Sequence, residues 1–284
     1  MSSIFALISD LHVGSKLALC PPTVTLDEGG TYRANKGQLW MWPVYLEFWK
    51  IVKELRAKKF MQSRPELYIG FVGEFRDGVY YTTQSITANE ADISKMVMET
   101  LQPAIELEPD YTFIWRGSRA HSGNASWFDE FIASNLKDEL NVQPDNEGRY
   151  AAWERNLWIE DTLFDITHHV SMGRLPWTEY ASVVRAAEVL KANYKRHERL
   201  PDTAIRGHQH RMYDTGPVDE AEERIRMITL PSWKFNDAHI LTLSQSRIPE
   251  FGGVIIEIDG KIKNVIKYRQ SPRRSAAWTK ENTA

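Results

Sequence analysis

The chain has 284 residues and a mass of 32.8 kDa, which is enough for one large α/β domain or two smaller ones. Its 42% apolar and 26% charged residues are typical of a globular protein, and no apolar run approaches the roughly 18 residues that cross a bilayer. The 35 basic and 38 acidic residues give a net charge of −3, which argues against a nucleic-acid footprint over the whole surface but leaves a local basic groove open. Transmembrane and fully disordered proteins are therefore excluded, and we expect no membrane partner.

The chain contains one cysteine, Cys20, and eight histidines. A single cysteine excludes a disulfide within the chain and a zinc cluster of thiolates, and it fits a reducing compartment. The first residues lack the basic flank of a secretory signal, so we expect a cytoplasmic protein. Histidine and carboxylate are the other common ligands of transition metals, so the positions of the histidines decide whether a metal site is predicted.

The first half of the chain alternates strand-like and helix-like segments. Short aliphatic runs predict strands at residues 4–9, 67–72 and 111–115. Apolar residues at helical spacing predict a helix from Pro43 to residue 58, a second one over residues 90–105 and a third over residues 128–140. Thr87 and Glu90 form a candidate capping box for the second helix.

The second half continues this alternation and then becomes rich in strands. The pattern predicts a strand region at 157–167, a helix at 180–194 and a strand at 203–206, followed by strands at 225–230, 240–243, 254–258 and 262–268. Asp259-Gly260 is a strong hairpin turn between the last two strands. This order predicts an α/β fold, in which a mixed β-sandwich of two packed sheets is flanked by helices, in one domain over residues 1–270.

Two segments show no core periodicity. Residues 15–37 contain a Pro-Pro and a Gly-Gly pair, and a loop of this length is normally functional or disordered, so we predict a lid there. Residues 271–284 follow the last predicted strand, and we expect them to form a flexible C-terminal tail.

Clusters of polar residues follow five of the predicted strands. They are Asp10-Leu11-His12, Gly73-Glu74-Phe75-Arg76-Asp77, Gly117-Ser118-Arg119-Ala120-His121, His168-His169 and Gly207-His208-Gln209-His210. Loops at the carboxyl ends of strands converge on one edge of an α/β sheet, however far apart they lie in the sequence. Residues two apart on an extended segment point to the same side, which would bring Asp10 and His12 to one ion. The clusters therefore predict a metal site at this edge.

The types of ligand limit the metal and its chemistry. Imidazole and carboxylate without thiolate suit Mn, Fe or Zn better than Mg or Ca. Two divalent ions that share a carboxylate roughly 3.5 to 4 Å apart can clamp the attacking and leaving oxygens of a phosphoryl group and supply hydroxide near neutral pH. We therefore expect two divalent metal ions as cofactors, with manganese as the first choice and iron or zinc as alternatives.

The order of the five clusters resembles the calcineurin-like metallophosphoesterase family, in which Asp-x-His, Gly-Asp-x-x-Asp, Gly-Asn-His, a lone His and Gly-His-x-His follow one another. The resemblance covers residues 10–210, and its first and last motifs match best. It implies a two-sheet sandwich flanked by helices and the hydrolysis of a phosphomonoester or phosphodiester through metal-bound hydroxide. The Gly-Ser-x-Ala-His form with a following His-His looks like an uncharacterised branch of the family often carried by bacteriophages, which would place the protein in the host cytoplasm.

The resemblance also implies a role for each motif residue. It implies seven metal ligands: Asp10, His12 and His210 for one ion, His168 and His208 for the other, Glu74 as the bridge and Ser118 at the position of the family's Asn. His121 would act on the leaving oxygen, and Asp77 would orient a ligand by hydrogen bonding. Between His168 and His169 we favour His168, because the family's ligand is usually followed by a small residue.

Two residues depart from the family pattern. Glu74 stands where the family has Asp, so the bridging carboxylate carries one more methylene and must fold back or displace the metals. Ser118 offers a hydroxyl in place of an amide oxygen, and water or Asn124 would fill that coordination position instead. These departures support a second hypothesis, a catalytically impaired relative that binds metal, phosphate or nucleic acid.

Three residues beside the motifs are candidates for contact with the substrate. Arg76 and Arg119 carry guanidinium groups that can hold phosphate oxygens, with solvated surface charges as the alternative interpretation. His169 follows the favoured ligand. The predicted partner is a phosphate ester, and a nucleotide or nucleic acid is an alternative that the overall acidity supports only weakly. The sequence makes no prediction about the oligomeric state.

Overall fold

The structure is a computed structural model that describes residues 2–57, 64–78, 84–170, 176–194, 199–217, 224–237 and 248–272. The predicted strand at 240–243 and residues 273–284 of the predicted tail lie outside the described residues. The predicted fold class is confirmed, because two mixed β-sheets pack against each other and helices cover their outer faces. None of the helices described is long and apolar enough to cross a membrane.

The first sheet combines parallel and antiparallel strands. In spatial order it contains β13 (Lys261–Gln270), β12 (Phe251–Asp259), β1 (Ser2–Ile8), β4 (Glu66–Val72), β5 (Tyr111–Trp115) and β6 (Ala151–Ala152). Strands β1, β4, β5 and β6 run parallel, while β12 is antiparallel to both of its neighbours. The residues that follow β1, β4 and β5 are thus delivered to one edge of this sheet.

The second sheet is built in the same mixed way. In spatial order it contains β10 (Tyr213–Asp214), β11 (Arg226–Thr229), β9 (Thr203–Arg206), β8 (Thr162–Thr167) and β7 (Glu154–Ile159). Strands β8, β9 and β11 are parallel, and β7 pairs antiparallel with β8. The predicted strand region 157–167 is therefore a hairpin, whose turn has Glu160 at a φ of 52°.

Helices cover the outer faces of the sheets. They are α1 (Lys36–Ala57), α2 (Glu90–Ile105), α3 (Arg119–Ser122), α4 (Trp127–Asn135) and α5 (Pro176–Tyr194). Helix α1 begins well before the predicted Pro43, because the side chain of Asn35 accepts hydrogen bonds from the backbone N–H groups of Gly37 and Gln38. The predicted capping box at α2 is wrong, since Asn89 is the residue that caps this helix.

The hydrophobic core has three layers. The layer between the two sheets includes Phe5, Leu7, Val72, Phe164, Ile166 and Ile205. A second layer joins the first sheet to α1, α2 and α4, and a third joins Val183 and Ala187 of α5 to Met227 of the second sheet. Burial on both faces of each sheet explains why the central strands are continuous apolar runs.

Residues 15–37 are more ordered than a bare loop. They contain a two-stranded sheet of β2 (Thr23–Thr25) and β3 (Thr31–Arg33), and Leu19 and Cys20 are fully buried in the layer next to α1. Part of this segment therefore belongs to the core. A lid role for it stays a prediction, as does the single domain over residues 1–270.

Candidate metal centre

Side chains from all five sequence clusters meet at the carboxyl ends of β1, β4, β5, β8 and β9. Their possible ligand atoms form three overlapping groups, each within 4.8 Å: Asp10, His12, Glu74 and His210; Glu74, His168 and His208; His12, Asp77 and His121. We call the first group site A and the second group site B. Glu74 belongs to both sites.

Five residues of these sites have a left-handed backbone. Asp10, His12, Glu74, His208 and His210 have φ values between 49° and 68°, a conformation that costs on the order of 1–3 kcal/mol for residues other than glycine. The expectation that Asp10 and His12 share a side because the segment is extended is therefore wrong. A sharp turn at each residue, held by the surrounding fold, brings the two side chains together.

Glycines allow the ligand loops to approach one another closely. A Cβ atom added to Gly73 would lie 2.6 Å from Nδ1 of His168, and one added to Gly117 would overlap Cγ of Glu74. Gly73 also has a φ of 81°, which side chains disfavour. The two glycines thus leave room for the imidazole and the long carboxylate side chain of sites A and B.

Site A is a buried group of two carboxylates and two imidazoles. Nε2 of His12 lies 3.1 Å from Oε2 of Glu74 and also 3.1 Å from Nε2 of His210. Oδ1 of Asp10 lies 3.3 Å from the same nitrogen of His210. The other oxygen of Asp10 accepts a hydrogen bond from the backbone N–H of His208 at 3.1 Å. These contacts point two oxygens and two nitrogens at a common space.

Site B places His168 and His208 beside the other oxygen of the shared carboxylate. Nε2 of His168 lies 3.3 Å from Oε1 of Glu74, and the His168 and His208 rings are 5.2 Å apart between centroids. Nδ1 of His168 donates a hydrogen bond of 2.7 Å to the carbonyl oxygen of Val72. This bond directs Nε2 towards the site, as in histidines that bind metal ions.

Two buried atoms show that these residues fit a cation. Oδ1 of Asp10 and Nε2 of His168 are buried, and neither has a hydrogen-bond partner among the residues described. A buried polar atom without a partner is costly, and coordination to a metal ion would remove that cost. The donor set is imidazole nitrogen and carboxylate oxygen, which suits divalent transition metals.

Burial and charge act in opposite directions on these pKa values. Burial alone would raise the pKa of Glu74, but the nearby His121 and His168 hold it well below its usual value. Burial would lower the pKa of His168, whereas the charges of Asp10 and Glu74 raise it to about 9. Burial lowers the pKa of His208 to about 4. At neutral pH the Glu74 carboxylate is therefore ionised and the His208 ring is neutral.

The sequence motifs give no role to Lys234, yet it lies behind site A. The side chain is 2% exposed, and Nζ donates a hydrogen bond of 2.7 Å to Oδ1 of Asp77 and lies 2.8 Å from the carboxylate of Asp237. The same Asp77 oxygen lies 3.0 Å from Nδ1 of His12. Burial would raise the pKa of Asp77, but contact with His12 and the charge of Lys234 lower it to about 2. Asp77 is thus an ionised group in contact with both His12 and Lys234.

His121 lies at the rim of site A. Its side chain is 16% exposed, and Nδ1 donates a hydrogen bond of 2.6 Å to the carbonyl oxygen of Asp77. The other ring nitrogen, Nε2, is 4.0 Å from Oε2 of Glu74. The ring is therefore fixed through one nitrogen while the second faces the shared carboxylate.

Ser118 contacts the shared carboxylate directly. Its backbone N–H donates a hydrogen bond of 3.0 Å to Oε1 of Glu74, and its hydroxyl donates to the same oxygen. The two departures from the family pattern are thus in contact, with a longer carboxylate opposite a shorter polar side chain. Asn124, the alternative ligand, is exposed. A metal-ligand role for Ser118 stays a prediction.

The three candidate substrate residues lie in different environments. Arg76 is buried, where its guanidinium contacts the carboxylate of Glu90, donates to the carbonyl oxygen of His121 at 3.0 Å and lies 4.5 Å from the Phe128 ring. These contacts hold the loop that carries Arg76 in place, and they do not support a contact between Arg76 and the substrate. Arg119 and His169 are exposed, and the His169 ring centroid lies 5.4 Å from that of His208.

Comparison with known proteins gives structural similarities only. No family model matches the sequence, and no curated protein matches it. Among solved structures, an archaeal phosphodiesterase aligns at 15% identity with a TM-score of 0.41, covering 95% of this chain and 99% of that one. Vps29 of Chaetomium thermophilum aligns at 9% identity with a TM-score of 0.41, covering 95% and 97%.

A third solved structure is the purple acid phosphatase PPD1 from yellow lupin seeds. It aligns at 12% identity with a TM-score of 0.45, and the alignment covers 93% of this chain but 53% of the lupin enzyme. The chain thus spans about half the length of that phosphatase. Identities this low do not transfer an activity from any of these proteins, so the function is argued from the site itself.

Proposed function

We propose that this protein is a metal-dependent phosphoesterase, which hydrolyses a phosphomonoester or phosphodiester with two divalent ions held in sites A and B. The observation that supports this proposal most is the position of Glu74 between the sites. Its Oε2 atom faces His12 and its Oε1 atom faces His168. A shared carboxylate between two sets of imidazoles is the arrangement that a pair of metal ions requires.

The residues of sites A and B would hold the ions, and we propose manganese first, with iron or zinc as alternatives. When bound, such ions supply Lewis acidity at the phosphoryl oxygens and an activated water at neutral pH. Asp10, His12 and His210 would complete one site, and His168 and His208 the other. The left-handed backbone at five of these residues supports a functional role for the site, because strained backbone conformations are concentrated at functional sites.

His121 and Asp77 have different roles in this proposal. His121 would donate a proton to the leaving oxygen, since the hydrogen bond from Nδ1 to the carbonyl oxygen of Asp77 holds the ring with Nε2 4.0 Å from Oε2 of Glu74. Asp77 acts as a positioning residue, because its carboxylate touches His12 and Lys234.

The alternative function is a binding protein without turnover, and it depends on Glu74 and Ser118 as defects. Because Ser118 donates to Oε1 of Glu74, the structure favours an accommodated pair over a defect. Hydrolysis therefore remains the proposal. On the basis of the sequence we also propose a cytoplasmic location, a bacteriophage origin and a nucleotide or nucleic acid as an alternative partner.

Metal analysis and hydrolysis assays on the same purified protein test the proposal. We expect bound metal, and hydrolysis of p-nitrophenyl phosphate or bis(p-nitrophenyl) phosphate with Mn²⁺ that a chelator abolishes. Protein loaded with two equivalents of metal but inert on both esters would overturn the proposal and favour the binding protein.

A further inference from the structure

A cavity of about 530 Å³ lies between α5 and the second sheet. One wall is formed by the α5 residues Thr178, Ala181, Ser182, Arg185, Val189 and Asn193, which recur at helical spacing. The opposite wall includes Thr167, Arg206 and Met227 of the sheet. A volume in the range of roughly 300–1,000 Å³ accommodates an organic molecule far larger than a phosphate ion.

The cavity lies next to site B, because residues on its walls are sequence neighbours of the site B histidines. Thr167 and Arg206 are paired in register at the ends of β8 and β9, and both line the cavity. The next residue after Thr167 is His168 of site B, and His208 follows Arg206 by two positions. His169 lines the cavity and also lies 5.4 Å from the His208 ring. The cavity therefore begins one residue from His168 and two residues from His208 along the chain, beside site B.

The chemistry of the walls selects the kind of group. Val189 and Met227 give an apolar surface, while Ser182 and Asn193 offer hydrogen bonds. None of the described residues that line the cavity is acidic. The charge of Arg206 is already neutralised, because its guanidinium lies 2.6 Å from Asp165, whereas Arg185 adds an exposed cation to the α5 wall. A bulky group with a few polar atoms fits such a pocket.

The cavity and His121 lie beside different oxygens of Glu74. His121 lies towards Oε2 and packs against the His12 ring of site A, with 4.5 Å between ring centroids. The cavity adjoins His168, which faces Oε1. If His121 protonates the leaving oxygen, a group in the cavity is a second organic substituent. A phosphomonoester has no second substituent, whereas a phosphodiester has one.

We infer that the substrate is a phosphodiester, and that its retained organic arm, a group of nucleoside size, occupies the cavity beside α5. This inference rests on the proposed phosphoesterase function and narrows it. Residues of α5 then determine specificity for the retained arm without touching the reacting atoms. The hydrogen bond of 3.1 Å from Gln209 to Ser182 fixes α5 against the loop that carries His208.

Two diesters with the same leaving group test this inference. Methyl p-nitrophenyl phosphate and thymidine 5′-(p-nitrophenyl phosphate) are each hydrolysed by adding water across the P–O bond to the aryl group. Both release p-nitrophenol, and the retained products are methyl phosphate and thymidine 5′-phosphate. For the protein with bound metal we expect a kcat/KM about tenfold or more higher on the thymidine diester. Equal values for the two diesters would overturn the inference.

Substitutions on α5 test whether the cavity causes the preference for the thymidine diester. Ala181→Trp and Val189→Trp place an indole in the cavity from exposed positions, and Val184→Trp is the matched control on the same helix outside the cavity lining. We expect the first two to lower kcat/KM on the thymidine diester about tenfold while the methyl diester changes less than about twofold. The control should leave both values unchanged. A similar fall on both diesters, or no fall, would contradict the inference.

Binding separates failure of this inference from failure of the proposed function. Hydrolysis of the methyl diester alone tests the proposed function. If neither diester is hydrolysed, titration of thymidine 5′-monophosphate into protein with bound metal still tests the cavity by calorimetry. Binding that Ala181→Trp weakens about tenfold would support the cavity as the site of the organic arm. Absent binding, or equal binding by the two proteins, would overturn it.

Discussion

The two halves of the metal centre differ in what supports their histidines. In site A, Nδ1 of His12 lies 3.0 Å from the carboxylate of Asp77, which in turn is paired with the buried Lys234. In site B, Nδ1 of His168 donates to a neutral carbonyl oxygen, that of Val72. A carboxylate behind a ligating histidine is an ionised hydrogen-bond acceptor, whereas a carbonyl oxygen is a neutral one.

This difference predicts different tasks for the two halves. We expect site A to bind its metal ion more tightly, since ionised groups lie behind it. Site B adjoins the α5 cavity, so it is the half that meets the variable part of a substrate. Substitutions in each half test whether the two are separable in this way.

The largest effects should come from removing a ligand from either half. Asp10→Ala in site A and His208→Ala in site B should each lower kcat/KM by about a hundredfold, because each removes a candidate ligand atom of its group, from a buried carboxylate at Asp10 and a partly buried imidazole at His208. Hydrolysis assays with Mn²⁺, together with the metal content of each variant, measure this. Activity within threefold of the wild type in either variant would remove that half from the mechanism.

A smaller effect is expected where the halves meet, at Glu74. Glu74→Asp should lower kcat/KM about tenfold, because the shortened side chain cannot reach His12, His168 and Ser118 together. Adding Ser118→Asn should recover part of the loss, so the two changes would not be additive in a double-mutant cycle. A gain in activity from Glu74→Asp alone would show that the native glutamate is a handicap.

Replacing Lys234 should affect one half only. Lys234→Met leaves Asp77 without its buried partner, so we expect about tenfold weaker metal binding at site A and unchanged binding at site B. Lys267→Met is the control, because Lys267 is an exposed lysine paired with Asp214. Metal titration calorimetry separates the two sites. A purely structural role for Lys234 would lower the unfolding temperature and leave the ratio of the two affinities unchanged.

The smallest effect is expected at the exposed rim. Arg119→Ala should raise KM no more than about threefold, since an exposed guanidinium contributes little to a charge interaction in water. Steady-state kinetics on a phosphate ester measure this. A loss of tenfold or more in kcat/KM would place Arg119 in contact with the phosphoryl group and would add a positively charged side chain to site A.

The sequence predicts the meeting of the five clusters because parallel strands end at a common edge of each sheet. The backbone conformations within the clusters are not predicted by the sequence. The turns at Asp10 and His12 are left-handed, and the rule of alternating side chains assumes an extended backbone. The turn at Glu160 was also missed. Its backbone is left-handed as well, and no glycine or asparagine at the turn indicates this conformation.

Lys234 shows a different limit of prediction. Its partner Asp77 lies 157 residues away in the sequence, and lysine is not a metal ligand, so no motif includes it. The available signal was its position, because Lys234 follows the strand β11 as the ligands follow their own strands. Polar residues that follow any strand ending at this edge of the sheet are therefore candidates for a role in the site, whatever their charge.

Stepwise addition of Mn²⁺ to metal-free protein, with hydrolysis of bis(p-nitrophenyl) phosphate followed at each step, tests the central claim most directly. The account predicts two equivalents bound, the first tightly and with little activity, and hydrolysis that rises with the second. Full activity at one equivalent, or two bound equivalents without hydrolysis, would contradict it.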